Sequence, residues 1–131
     1  MKKKILVVVA NYYQQISAQL LTDTKKILKL RKINPKIVYV PGVFEIPIIV
    51  SKLQSKFDGF IVLGCVIKGE TPHFEFICNS TFTTLSYFSI KKNKPIGNGI
   101  ITCLNMKQAK LRASKKGKEA TNAVLEIFKV V

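Results

Sequence analysis

The chain has 131 residues, 47% of them apolar and 22% charged, which is enough for one domain with a real core and too apolar for a disordered chain. No apolar run reaches the length of a membrane span. The formal net charge is +15, yet only Arg31 and Arg112 of its 22 cations are arginine, and the lysines scatter over helix faces and termini without a recognisable nucleic-acid module.

Lys4–Ala10 (KILVVVA) is a β-branched run and reads as the first buried strand. A basic start before an apolar stretch imitates a secretory signal. However, the stretch is short and Asn11 to Gln15 offers no small-residue cleavage pattern, so a cytoplasmic protein is expected. Ile16 to Leu30 repeats apolar residues at helical spacing, with Ile16, Leu20, Ile27 and Leu28 separated by Lys and Gln. Asn34-Pro35 breaks the chain, Lys36–Val40 is the second strand, and Pro41-Gly42 marks a turn at its end. Phe44 to Leu53 is expected as the second helix, with Pro47 near its start.

Phe60–Ile67 carries one Gly and no charge, as a central parallel strand covered on both faces would. It turns at Gly69-Glu70-Thr71 and restarts as a helix, Pro72–Ile90, with Thr71 the expected N-cap and Pro72 at the first helical position. That geometry aims free backbone N–H groups and a positive helix end at the space beyond the strand, an anion site typical of open α/β sheets. His73, the only histidine, falls in the same first turn. Lys94-Pro95 leads to the fourth strand, Ile96–Cys103, whose Gly97 and Gly99 permit close backbone approach. Asn105 can cap a last helix that runs to the end of the chain, with Gly117 a candidate interruption.

Cys65, Cys78 and Cys103 are odd in number and follow no metal spacing, so they read as buried thiols in a reducing compartment. Four alternations of strand and helix mean a parallel sheet with right-handed crossovers and helices on both faces. In such sheets function collects at the strand exits, which here present Tyr12, then Val43, Phe44 and Glu45, then Cys65 to His73, and Asn98. Each has a plain structural explanation taken alone. Tyr12 suits a rim, Phe44 a core, Glu45 a helix start, and His73 or Arg112 a solvated helix face. Together they offer flat rings, a carboxylate, an anion cradle and a base along one sheet edge, which is what a small-molecule site needs.

Pro41-Gly42-Val43-Phe44-Glu45-Ile46-Pro47, Leu63-Gly64-Cys65-Val66-Ile67-Lys68-Gly69-Glu70-Thr71-Pro72-His73-Phe74, Asn98-Gly99-Ile100-Ile101-Thr102 and Gln108-Ala109 with Arg112 resemble the lumazine synthase family, in order and over nearly the whole chain. The resemblance implies one domain over 1–131, a flavodoxin-like three-layer α/β/α fold with a four-stranded parallel sheet, and sites shared between neighbouring subunits of a pentamer. It implies condensation of 5-amino-6-ribitylaminouracil with 3,4-dihydroxy-2-butanone 4-phosphate to 6,7-dimethyl-8-ribityllumazine, in riboflavin biosynthesis. No cofactor or metal is implied.

On the matching positions, Tyr12 would stack on the pyrimidine, and Val43, Phe44 and Glu45 would meet the ribityl chain and ring edge. Cys65, Val66 and Ile67 would hold the uracil edge, Glu70 and Thr71 would bind phosphate, and His73 would move protons. Arg112, and Lys116 or alternatively Lys118, would reach that phosphate from the adjacent subunit. The chain departs from the family pattern at Asn11-Tyr12-Tyr13, at Asn98 (an aromatic in many members, hence a more polar pocket roof), in a shortened loop after Arg112, and before the first strand, where many members have a further segment. That last difference and the charge together favour a free pentamer over a 60-subunit capsid. A flavin or nucleotide carrier on the same fold and a basic nucleic-acid-binding module remain the competing classes, although neither nucleic acid nor membrane is expected as a partner.

Overall fold

The computed structural model describes residues 2–130. The expected alternation is present: β1 (Ile5–Ala10), α1 (Gln14–Leu30), β2 (Lys36–Val40), α2 (Ile46–Leu53), β3 (Gly59–Ile67), α3 (His73–Lys92), β4 (Ile96–Cys103) and α4 (Met106–Val130). All four strands run parallel in the order β2-β1-β3-β4, so β1 and β3 are central and the chain reverses its direction of travel across the sheet between them. Val8 marks the register, lying opposite Val38 on one side and Val62 on the other.

The pleat divides the apolar residues into two cores. Ile5, Val7 and Val9 of β1 point with Ile61, Leu63 and Cys65 of β3 toward Leu20 and Leu28 of α1 and Ala113, Ala120 and Val124 of α4. Leu6, Val8 and Ala10 point the other way with Phe60 and Val62, against Ile46 and Val50 of α2 and Leu85 of α3. Every residue of β1 is buried, as both-face coverage requires. The result is a three-layer α/β/α domain of flavodoxin-like class. Among the described residues no helix is long and apolar enough to cross a membrane.

Several local expectations are corrected. The last helix is not interrupted at Gly117, because α4 is continuous. Gly117 instead lets α4 meet α1, since a Cβ there would lie 2.7 Å from the Leu20 carbonyl oxygen. Thr121 Oγ1 donates to the Gly117 carbonyl at 2.7 Å within the same buried contact. Phe44 does not open the second helix. Val43–Glu45 form a separate 3₁₀ turn ahead of α2, tightened by Glu45 N–H donating to Gly42 O. Asn105 does cap α4: its Oδ1 accepts from Gln108 N–H at 2.9 Å, and Gln108 Oε1 reaches back to accept from Leu104 N–H, one residue before the cap, at 2.8 Å. The two strand glycines allow the close approach expected of them, Gly97 beneath the Ala120 carbonyl of α4 and Gly99 beside Leu63.

Candidate active site

The carboxyl ends of β1 and β3 meet where the sheet order reverses, and helices leaving two adjacent parallel strands to opposite faces open a crevice there. A cavity of about 780 Å³ occupies it, within the range that holds a small organic molecule. Tyr12 and Tyr13 enter from the exit of β1, Gly42 to Glu45 from the exit of β2, and Cys65, Val66 and Ile67 from the end of β3. His73, Phe76, Ile77 and Ser80 of α3 complete the wall. Eight residues expected at the site (Tyr12, Val43, Phe44, Glu45, Cys65, Val66, Ile67 and His73) therefore share one space, although they span sixty residues of chain.

Local structure explains the exposed aromatics. The 3₁₀ turn buries Val43 and rotates Phe44 outward, leaving Phe44 62% accessible rather than in the core. Tyr12 is 74% accessible and braced edge-on by Tyr13, with ring centroids 4.9 Å apart at 81°. Glu45 folds back over Gly42, whose missing side chain leaves the carboxylate room. Cys65 is buried in the cavity wall. Burial, then the neighbouring Cys103, pushes its thiol up to about 12. Burial therefore disfavours the thiolate that a nucleophile would need. Burial also raises the Cys78 thiol, with Glu75 adding to it.

The exposed loop from Gly69 to Pro72 joins Ile67 to His73, both in the cavity wall, but Glu70 and Thr71 do not themselves line the cavity. Pro72 is the residue before the first helical position, not that position itself, and α3 begins at His73. Thr71 is not the residue at the helix boundary, but its Oγ1 accepts from His73 N–H at 3.4 Å. Lys68 N–H donates to the Cys103 carbonyl at 2.9 Å, which ties the loop to the end of β4. The Lys68–Glu75 ion pair at 3.5 Å is half-exposed and adds little. Among the described residues no protein group accepts the backbone N–H of Gly69, Glu70, Thr71, Phe74 or Glu75. Those donors and the helix end suit an anion.

Three expected residues lie elsewhere on the chain. Asn98 is not at a strand exit: it is the third residue of the edge strand β4, opposite Val62 partway along β3, and its Oδ1 accepts from Ile100 N–H at 3.0 Å. It faces a separate hollow lined by Phe82, Ser86 and Ile90. Arg112 and Lys116 border another hollow, with Thr102, Lys115 and Glu119, on the β4–α4 side. There the Arg112 guanidinium donates to the Thr102 carbonyl at 2.5 Å, so it is held by its own strand. Lys118 does not line that hollow. Sequence reasoning did not name Tyr13 and Gly42 as wall residues, and on α3 it missed Phe76, Ile77 and Ser80. The signal was their spacing of three, four and seven residues from His73, one face of a helix.

An all-parallel sheet with an open, aromatic-walled crevice and a helix end with free N–H donors at its switch point defines a small-molecule-binding protein of the flavodoxin-like class. Within that class the comparisons are specific. The family model for 6,7-dimethyl-8-ribityllumazine synthase matches residues 2–131. Curated 6,7-dimethyl-8-ribityllumazine synthases resemble the chain along its length. That of Ruthia magnifica is 39% identical over 97% of this chain and 84% of the relative. That of Vesicomyosocius okutanii is 41% identical over 95% and 83%, and that of Bartonella henselae 42% over 95% and 85%. The chain belongs to the 6,7-dimethyl-8-ribityllumazine synthase family of enzymes.

Proposed function

We propose that this chain condenses 5-amino-6-(D-ribitylamino)uracil with 3,4-dihydroxy-2-butanone 4-phosphate to give 6,7-dimethyl-8-ribityllumazine, a transferase step of riboflavin biosynthesis. The observation that carries the reading is the meeting of Tyr12, Val43–Glu45, Cys65–Ile67 and His73 around one cavity in a chain of this family. The primary amine of the pyrimidine attacks the ketone and water leaves, forming a Schiff base. Phosphate then departs by β-elimination, and ring closure releases a second water.

The roles follow from chemistry and position. Tyr12 and Phe44 supply exposed aromatic faces for the pyrimidine. Glu45 accepts hydroxyl hydrogen bonds from the ribityl chain, and Val43 packs beside it. Cys65, Val66 and Ile67 line the uracil edge. The free N–H groups around Glu70 and Thr71 receive the phosphate, and His73, one residue into the helix, carries protons between the reacting atoms.

Arg112, Lys116 and Asn98 act from a second copy of the chain, since all three lie outside the cavity that their own chain forms. The enzyme is therefore a homo-oligomer, and we take it to be a pentamer. Large apolar side chains left open on α3 and α4 outside the cavity, including Tyr87, Ile90 and Leu111, support burial between copies. A free pentamer is favoured over a 60-subunit shell, because five chains at +15 sum to +75 (5 × 15) and a shell would bring twelve such units edge to edge. Light scattering at low and high phosphate tests this, and a shell-sized particle at low salt would refute it. Three buried, unpaired thiols fit a cytoplasmic location. The central test mixes the protein with both substrates and follows the fluorescent lumazine. No product above the spontaneous background would end the reading.

A further inference from the structure

Helix α3 runs past the cavity like a ruler. Its free N–H groups lie at one end, His73 stands in the first turn, and Ser80 is the last residue to reach the cavity wall. Seven residues separate His73 from Ser80, about 10 Å along the axis. α3 also packs against the turn Val43–Glu45, which carries the only carboxylate in the lining. A serine within a helix commonly turns its hydroxyl back to the carbonyl four residues earlier, as Ser17 does to Tyr13 at 3.1 Å. Ser80 makes no such bond, and among the described residues its hydroxyl has no protein partner. Apart from Ser80, the inner face of α3 beyond His73 offers the cavity only Phe76 and Ile77.

We propose that Ser80 is a specificity-determining residue that hydrogen-bonds the ribityl chain of the pyrimidine substrate, opposite Glu45. This rests on the function proposed above. The phosphate end of the reacting complex belongs at the helix N-terminus, and proton transfer belongs at His73. The part of the substrate that extends farther along α3 is then the polyol attached to the pyrimidine. A hydroxyl that can both donate and accept suits a chain of hydroxyls, while Glu45 can only accept from it. Phe76 and Ile77 between them present apolar surface to the ring and offer no hydrogen bond.

The test compares wild type, Ser80→Ala and Ser80→Thr, with the ribityl substrate and with an analogue whose 6-alkylamino chain lacks hydroxyls. Ser80 is exposed on its helix and alanine is the better helix former, so the variants should fold, as circular dichroism and the melting temperature will show. Loss of one neutral hydrogen bond is expected to raise KM for the ribityl pyrimidine about 2- to 12-fold. The value of kcat and the KM for the butanone phosphate should stay unchanged. Ser80→Thr, which keeps the hydroxyl, should recover part of the affinity, and the deoxygenated analogue should bind wild type and Ser80→Ala alike. An unchanged KM, an equal penalty on the deoxygenated analogue, or a fall in kcat alone would overturn the proposal while wild type remains active. A wild type that forms no lumazine would overturn the reading of function on which it rests.

Discussion

Replacing Gly64 by alanine should disturb the active site from beneath. Gly64 lies in β3 next to Cys65 and opposite Ile100 of β4. A Cβ added there would sit 2.9 Å from Val43 Cγ2 and 3.0 Å from Ala10 Cβ. Carbon atoms rest roughly 3.5–4.0 Å apart, so one neighbour must retreat by about 0.5–1 Å. Ala10 is the last residue of a central strand and is in register with Val40, so it has little freedom. The displacement falls on Val43 and therefore on the turn that presents Phe44 and Glu45 to the cavity. Overpacking of this kind costs about 1–3 kcal/mol. In a domain of this size that lowers Tm by about 3–5 °C per kcal/mol. A misplacement approaching 1 Å can slow a reaction about 100-fold, so kcat/KM should fall about 10- to 100-fold. Thermal unfolding followed by circular dichroism and initial rates of lumazine formation measure the two effects. Gly69→Ala is the control for stability, since a Cβ there meets nothing within 4 Å. If Gly64→Ala left both Tm and kcat/KM unchanged, the packing argument would be wrong.

His73→Ala should slow turnover about 10- to 1000-fold with the fold intact, since general acid–base help is worth about that much; an unchanged rate at saturating substrate removes His73 from the chemistry. Arg112→Ala should weaken the butanone phosphate more than the pyrimidine, and Arg112→Lys should restore only part of the loss, because a guanidinium–phosphate pair is often bidentate. Equal weakening of both substrates, read from the two KM values, would place Arg112 in the interface and not on the phosphate. Cys65 should resist alkylation: with its thiol pushed up from 9.0 to about 12, the reactive thiolate at pH 8 is about 1000-fold scarcer than in the unfolded chain. The same shift has a sign for stability. The folded thiol holds its proton where the unfolded one loses it, so the contribution is complete below pH 9.0 and is lost as pH rises toward about 12. Rapid labelling of Cys65 in the folded enzyme at pH 8 would contradict both statements.

The amino-acid sequence by itself determined the elements and most of the site. Short, β-branched runs such as ILVVVA in β1 and FIVLGCVI in β3 favour strands covered on both faces, and four such alternations leave little choice but a parallel sheet. The segments Pro41 to Pro47 and Leu63 to Phe74 carry their chemistry locally, so Glu45 and His73 were legible before any contact was known. What failed to show were properties set between distant parts of the chain. Phe44 suited either a core or a strand-exit site position, and it is the 3₁₀ turn burying Val43 that leaves Phe44 open to the cavity. Gly117 reads as a break, but it is required by the backbone of α1 nearly a hundred residues away. Asn98 seemed to stand at a strand exit, and only the register with β3 puts it partway along the edge strand. α3 carries apolar side chains on both its buried and its open faces, with Leu85 and Cys78 inside and Phe76, Tyr87 and Ile90 outside. The spacing from His73 marks one candidate face, but with no single apolar stripe to read, packing against the Val43–Glu45 turn is what decides it. Local patterns encode which segments are helix or strand, because hydrogen bonds and side-chain periodicity act over a few residues. Which faces meet is decided when the sheet assembles, because that depends on strand order and close contacts that no short stretch of chain contains.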